Sequence, residues 1–145
     1  MLRDPSLIPL SHQHHNGLAL CVLTERSLRE DASPANIEKL AGKAIDRYEL
    51  ELTNHFDIEE TILFPAIESV LIPGLIADHR RLEALIGSLR AEPSAALLRE
   101  FAALLRSHIR REENELFEEV QRRLPRHVLD ALGKEIDSKA VRICL

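Results

Sequence analysis

The stretch YELELTNHFDIEETILFPA, residues 48 to 66, restricts the possible folds more than any other part of the chain. At helical period one face carries Tyr48, Leu52, His55, Glu59, Ile62 and Ala66, each three or four residues from the next. Such an apolar stripe packs into a core, and a core excludes ionisable groups that lack partners. His55 and Glu59 stand one turn apart on this stripe. An imidazole and a carboxylate at that spacing both reach a cation lying between them, so a metal ion is the natural shared partner. The reading requires matching side chains from other helices.

Those helices are legible. After an irregular arm over residues 1–9, punctuated by Pro5 and Pro9, a first helix is expected from about Ser11 to about Glu30. Its apolar face runs Leu10, His14, Leu18, Cys21, Leu28. Ser33 as N-cap and Pro34 at the first helical position start a long second helix, expected to reach about Val70 with a kink or irregular end at Pro65. Ile72-Pro73-Gly74 reads as a turn. A third helix from Leu75 to about Ala91 carries Leu75, Ile76, His79, Leu82, Glu83, Ile86 and Leu89 on one face. Ser94 caps a fourth, from about Ala95 to Arg123, with the face Leu98, Phe101, Leu105, His108, Glu112, Leu116, Val120. A short amphipathic helix from His127 to about Val141 is expected to pack outside the others. Four amphipathic helices joined by short turns predict an all-α, antiparallel up-down-up-down four-helix bundle with a short C-terminal helix, occupying residues 1–145 as one domain.

Composition narrows the function classes. A chain of 145 residues with 3% aromatics and abundant Leu, Ala, Ile, Glu and Arg favours helix over sheet. The formal net charge of −5 argues against a nucleic-acid partner. No run is long and apolar enough to span a membrane, and the amino terminus lacks the apolar segment of a signal peptide. Cys21 and Cys144 do not make a disulfide framework, so a cytoplasmic location is the expectation. Cys144, next to last, does not fit a prenylation box.

Each of the four helices holds a His within its apolar stripe, and three add a Glu one turn later: His55 and Glu59, His79 and Glu83, His108 and Glu112. A lone His on such a face is more often a hydrogen-bonded core residue than a ligand. Four at mid-helix can converge on one layer of a bundle. A mixed imidazole and carboxylate set suits iron, manganese or zinc, and six or seven donors exceed the four of a typical zinc site. The number fits two octahedral ions sharing carboxylates.

The pattern His14, then His55-Phe56-x-x-Glu59-Glu60-x-x-x-Phe64-Pro65, then His79, then His108-x-x-x-Glu112-Glu113-x-x-x-Phe117 resembles the hemerythrin-like (HHE cation-binding) domain over nearly the whole chain. That resemblance implies a bundle holding two non-haem iron ions, bridged by carboxylate and by oxo or hydroxo. It also implies a small diatomic or peroxide ligand. The expected metal residues are His14, His55, Glu59, His79, Glu83, His108 and Glu112. His15 is the alternative to His14, and Glu113, five residues after its His as in the oxygen carriers, is the alternative to Glu112.

Where the oxygen carriers have a second His in the third helix, this chain has Glu83. It is either an extra oxygen ligand or a residue behind the ligands. A carboxylate there would favour the ferric state and suit oxygen, peroxide or nitric oxide chemistry, or iron sensing, over reversible carriage. Tyr48 reads as a boundary residue or as one that hydrogen-bonds a bound oxygen species or donates an electron, Glu60 and Glu113 as solvated or paired with Arg. Two other classes compete with a metal-binding protein of this kind. One is a peroxidase or oxidase; the other is a metal-free helical interaction module.

Overall fold

Capping chemistry sets where the helices begin. In a computed structural model that describes residues 2–143, Asp4 accepts a hydrogen bond from the Ser6 backbone N–H at 3.0 Å and opens a single 3-10 turn, Pro5–Leu7. The first long helix, α1, follows directly over Ile8–Glu30, with Pro9 tolerated in its first turn. Residues 5–9 are therefore ordered helix, not an irregular arm: Pro5 and Pro9 both fall where no intrahelical N–H bond is required.

Ser33 Oγ accepts from Asn36 N at 3.3 Å and starts α2, Pro34–Arg47. The same rod continues through a π-helical turn (Tyr48–Leu52), α3 (Thr53–Ile58), a second π turn (Glu59–Leu63) and a 3-10 turn, Phe64–Ala66. It ends there. Ile67 is extended and Val70 is almost wholly exposed, so the rod stops short of Val70, at the proline that sits in its last turn. The next helix, α4, spans Ile72–Ala91, so Pro73 and Gly74 belong to its first turn and not to a preceding loop. Ser94 Oγ accepts from Leu97 N at 3.1 Å and opens α5, Ala95–Arg111. A third π turn (Glu112–Leu116) joins it to α6, Phe117–Arg123, and α7 closes the described chain over Arg126–Lys139. Cys144 lies outside the described residues.

Among the described residues the fold is all-α, with no strand. Helix α5 packs on α1 and α4, and α2 packs on α1, α4 and α5. The links at 31–33, 67–71 and 92–94 are short, which favours alternating rod directions. Rods α1 and α5 pack closely at Gly17, where a Cβ would stand 2.9 Å from Ile109 Cδ1.

Two apolar clusters fill the interior. One is built around Phe101, Leu82, Leu85, Ile86, Leu89, Leu98, Leu105 and Phe56. The other gathers Leu7, Leu10, Ile58, Leu63, Phe64, Leu116, Phe117 and Val120, together with Leu129, Leu132 and Ile136 of α7. Helix α7 is thus part of the core rather than an appendage. Its Gly133 lies against the Ser6 backbone, where a Cβ would meet Ser6 Cα at 3.0 Å.

Candidate metal centre

Between the two apolar clusters lies a polar layer. His14 on α1, His55 on α3, His79 on α4 and His108 on α5 are all buried, as are Glu59 and Glu112, each at the start of a π turn. Their donor atoms form two quartets that share both glutamates. The first is His14, His55, Glu59 and Glu112; the second is Glu59, His79, His108 and Glu112. Within each quartet the donor atoms lie within 4.8 Å of one another, a spacing able to surround a metal ion. His14 Nε2 is 2.8 Å from Glu112 Oε1, and His79 Nε2 is 3.0 Å from Glu59 Oε1. His55 Nε2 and His108 Nε2 each stand 3.3 Å from the Glu one turn along their own rod.

Every imidazole turns Nε2 inward because its other nitrogen is held from outside. His14 Nδ1 meets Glu113 Oε2 at 2.6 Å, and His79 Nδ1 meets Glu60 Oε2 at 2.7 Å. His55 Nδ1 meets Gln13 Oε1 at 2.9 Å, and His108 Nδ1 meets Asp78 Oδ2 at 2.9 Å. Such partners fix ring orientation and leave the Nε2 lone pair facing the layer's centre. The arrangement has a two-fold regularity. Glu60 and Glu113 each follow a core Glu and hold a His on another helix. Gln13 and Asp78 each precede one His and hold the next.

The π turns complete this regularity. Phe64 N–H reaches back to Glu59 O and Phe117 N–H to Glu112 O, each a wider turn than the α-helix makes. The widened turn brings Phe64 and Phe117 to the inner face beside the glutamates. Phe117 stacks on His14 with centroids 5.3 Å apart, and Phe64 on His79 at 5.9 Å.

Burial without compensation marks the layer as a ligand site. His55 Nε2, His108 Nε2, Glu59 Oε2 and Glu112 Oε2 are buried and, among the described residues, have no hydrogen-bond partner. Buried polar atoms are nearly always satisfied, so four unpartnered donors on the residues of these quartets make a set that could hold a cation. The electrostatics agree. Burial, reinforced by the Glu112 carboxylate, pushes Glu59 well above the usual carboxylate range. Burial and the charge of His14 lower His55 to about 4, and burial with the charge of His108 lowers His79 to about 3. Burial also opposes a charge on His108, but the Glu112 and Asp78 carboxylates outweigh it and raise the pKa to about 9.

Six of the seven residues expected from sequence therefore meet in this layer. Glu83 does not. It is half-buried on the outer side of α4, where it pairs with Arg80 at 3.2 Å instead of turning to the centre. His12 and His15 are exposed, and Glu113 stands behind His14, outside both quartets. Tyr48 packs edge-on against Phe56 at 6.5 Å, with Arg90 over its ring. Glu60 and Glu113, expected to be solvated or paired with Arg, do meet Arg80 and Arg3 but chiefly orient imidazoles. Gln13 and Asp78 were not legible as site residues, and Phe64 and Phe117 stood in the motif without a role. The only hint was position: a hydrogen-bonding residue immediately before His14 and His79, and an aromatic five residues after each core Glu.

An all-α bundle with two His/Glu quartets sharing their carboxylates defines a class of metal-binding helical proteins. A family model described as the hemerythrin HHE cation binding domain matches residues 7–120. The chain belongs to that family; α7 lies beyond the matched residues. No curated protein and no solved structure matches it.

Proposed function

We propose that the chain holds two non-haem iron ions in this layer and uses them to react with, or sense, a small oxidant such as dioxygen, peroxide or nitric oxide. The observation that carries the reading is the set of four orphaned buried atoms at the centre of two quartets with common carboxylates. His14 and His55 would hold one ion, His79 and His108 the other, and Glu59 and Glu112 would span both. Nitrogen and oxygen donors in this proportion suit iron better than an oxygen-only cation such as calcium. Four protein donors per ion leave places for a small ligand on an ion that favours six. An iron pair supplies one- and two-electron redox chemistry at such places.

The chain's own residues do the rest. Gln13, Glu60, Asp78 and Glu113 orient the imidazoles, and Phe56, Phe64 and Phe117 exclude water from their faces. Both apolar clusters flank one polar layer, which supports treating 1–145 as a single working domain. With Glu83 on the outer side of α4, the third helix offers one donor. That favours a reactive or sensing site over reversible carriage, since fewer protein donors leave more of each ion open.

Metal analysis and an optical spectrum before and after dithionite test this. Two irons per chain and a near-ultraviolet charge-transfer band that dithionite bleaches are expected. A colourless protein whose stability is unchanged by chelators would instead favour the metal-free interaction module. Stopped-flow mixing with peroxide distinguishes catalysis from sensing: turnover is expected of an enzyme, and a stable adduct of a sensor or carrier.

A further inference from the structure

The regularity of the layer breaks at one pair of positions. His108 Nδ1 faces a carboxylate, Asp78, at 2.9 Å, with Arg111 behind it at 3.3 Å. The equivalent partner of His55 is an amide, Gln13. Its orientation is set by two further bonds: Gln13 Nε2 donates to Asn54 Oδ1 at 3.0 Å and to the Val141 carbonyl at 3.1 Å, leaving Oε1 for the imidazole. An amide stays neutral at any pH the fold survives. The other two partners, Glu60 and Glu113, match each other, so the asymmetry belongs to Asp78 and Gln13 alone.

Resting on the two-ion reading above, we propose that the quartets are unequal: the His79/His108 position binds its cation first and more tightly, and Asp78 against Gln13 sets the difference. A carboxylate hydrogen-bonded to imidazole Nδ1–H makes Nε2 a stronger donor and adds negative charge near the ion; an amide does neither. Asp78 and Gln13 are positioning residues, acting through His108 and His55. The amide-held quartet is also the one tied to the chain's ends. Asn54, which bonds Gln13, also accepts from Val141 N at 2.9 Å and donates to Lys139 O at 2.9 Å, and Arg3 bonds Glu113 behind His14.

The test is anaerobic titration of the metal-free protein with ferrous iron, followed by calorimetry, and with Co(II), followed by its visible absorption. Two separate steps are expected for the wild type. Asp78→Asn should weaken the tighter step roughly 10- to 100-fold and leave the other, whereas Gln13→Glu should tighten the weaker step and narrow the gap. Two equal steps in the wild type overturn the proposal, as does an Asp78→Asn effect on both steps alike. If Asp78→Asn does not fold, Gln13→Glu decides alone: an unchanged gap overturns the proposal. No uptake of either metal sinks the two-ion reading itself, a result distinct from two equal steps.

Discussion

Phe56 lies flat on His79, ring centroids 4.0 Å apart and planes 15° from parallel. The aromatic comes from the rod that carries His55, the imidazole from α4, so the contact ties two helices together at the depth of the polar layer. Phe56 is buried in the first apolar cluster and also meets Tyr48 and His108 edge-on. Its partner ring is thereby held by packing on its face and by Glu60 at its edge.

Phe56→Ala should therefore act on stability and on the site together. A buried Phe-to-Ala change leaves a cavity costing about 3–5 kcal/mol. Denaturant unfolding of the metal-free protein reads that loss. Metal titration of the same variant should show weaker binding at the position that uses His79; unaltered binding would mean that Glu60 and Phe64 suffice to orient the ring.

Glu59 belongs to both quartets, so Glu59→Gln should weaken uptake of both ions, where His55→Ala should spare one. Metal content after dialysis measures this directly. The same change should stabilise the metal-free chain. Burial, with the Glu112 carboxylate, raises the folded-state pKa of Glu59 above its unfolded value, so its contribution is present below the ordinary carboxylate range and lost as pH rises through the folded value. Near neutral pH, replacing such a group with a neutral isostere should raise stability and flatten its decline with rising pH.

Asp4 has the opposite sign. Its hydrogen bond to Arg126, at 2.6 Å, holds its carboxyl well below the usual range against a smaller opposing effect of burial. A depressed folded pKa gives stability above the unfolded value of about 3.9 and loses it as pH falls. Asp4→Ala should cost about 1 kcal/mol at neutral pH, through the lost cap and the lost pair between the amino-terminal turn and α7. Thermal melts should show that difference shrinking towards pH 3.

Glu83→Gln should leave metal stoichiometry at the wild-type value. The side chain is half-buried and paired with Arg80, and pairs of that exposure contribute roughly 0–1 kcal/mol. Loss of one ion in this variant would show that Glu83 swings inward on loading.

Cys21 is buried, and burial pushes its thiol up to about 11. In a Cys144→Ser background, a thiol reagent at pH 8 should modify the native protein no faster than it opens, and modify the denatured protein at once. Prompt labelling without denaturant would place Cys21 at a breathing surface of α1.

Sequence alone placed the four rods and put all six core side chains among its candidates, with Glu83 added and with His15 and Glu113 left as alternatives. Period 3.6 with His or Glu inside each stripe could not be buried without a shared charge, and Ser33 and Ser94 announced where two helices begin. The doubt between Glu112 and Glu113 was also physical: adjacent positions on a helix differ by about 100° of rotation, and a π turn starting at that point defeats a regular count.

Only tertiary structure decided the outer partners. Glu60 and Glu113 lie off the stripe in sequence, and it is a neighbouring helix that brings an imidazole nitrogen to them. The same holds for Gln13 and Asp78, whose bonds join positions 42 and 30 residues apart. Local periodicity reports which face a side chain takes. What stands opposite that face depends on how the rods are packed, and so on contacts that no window of sequence contains.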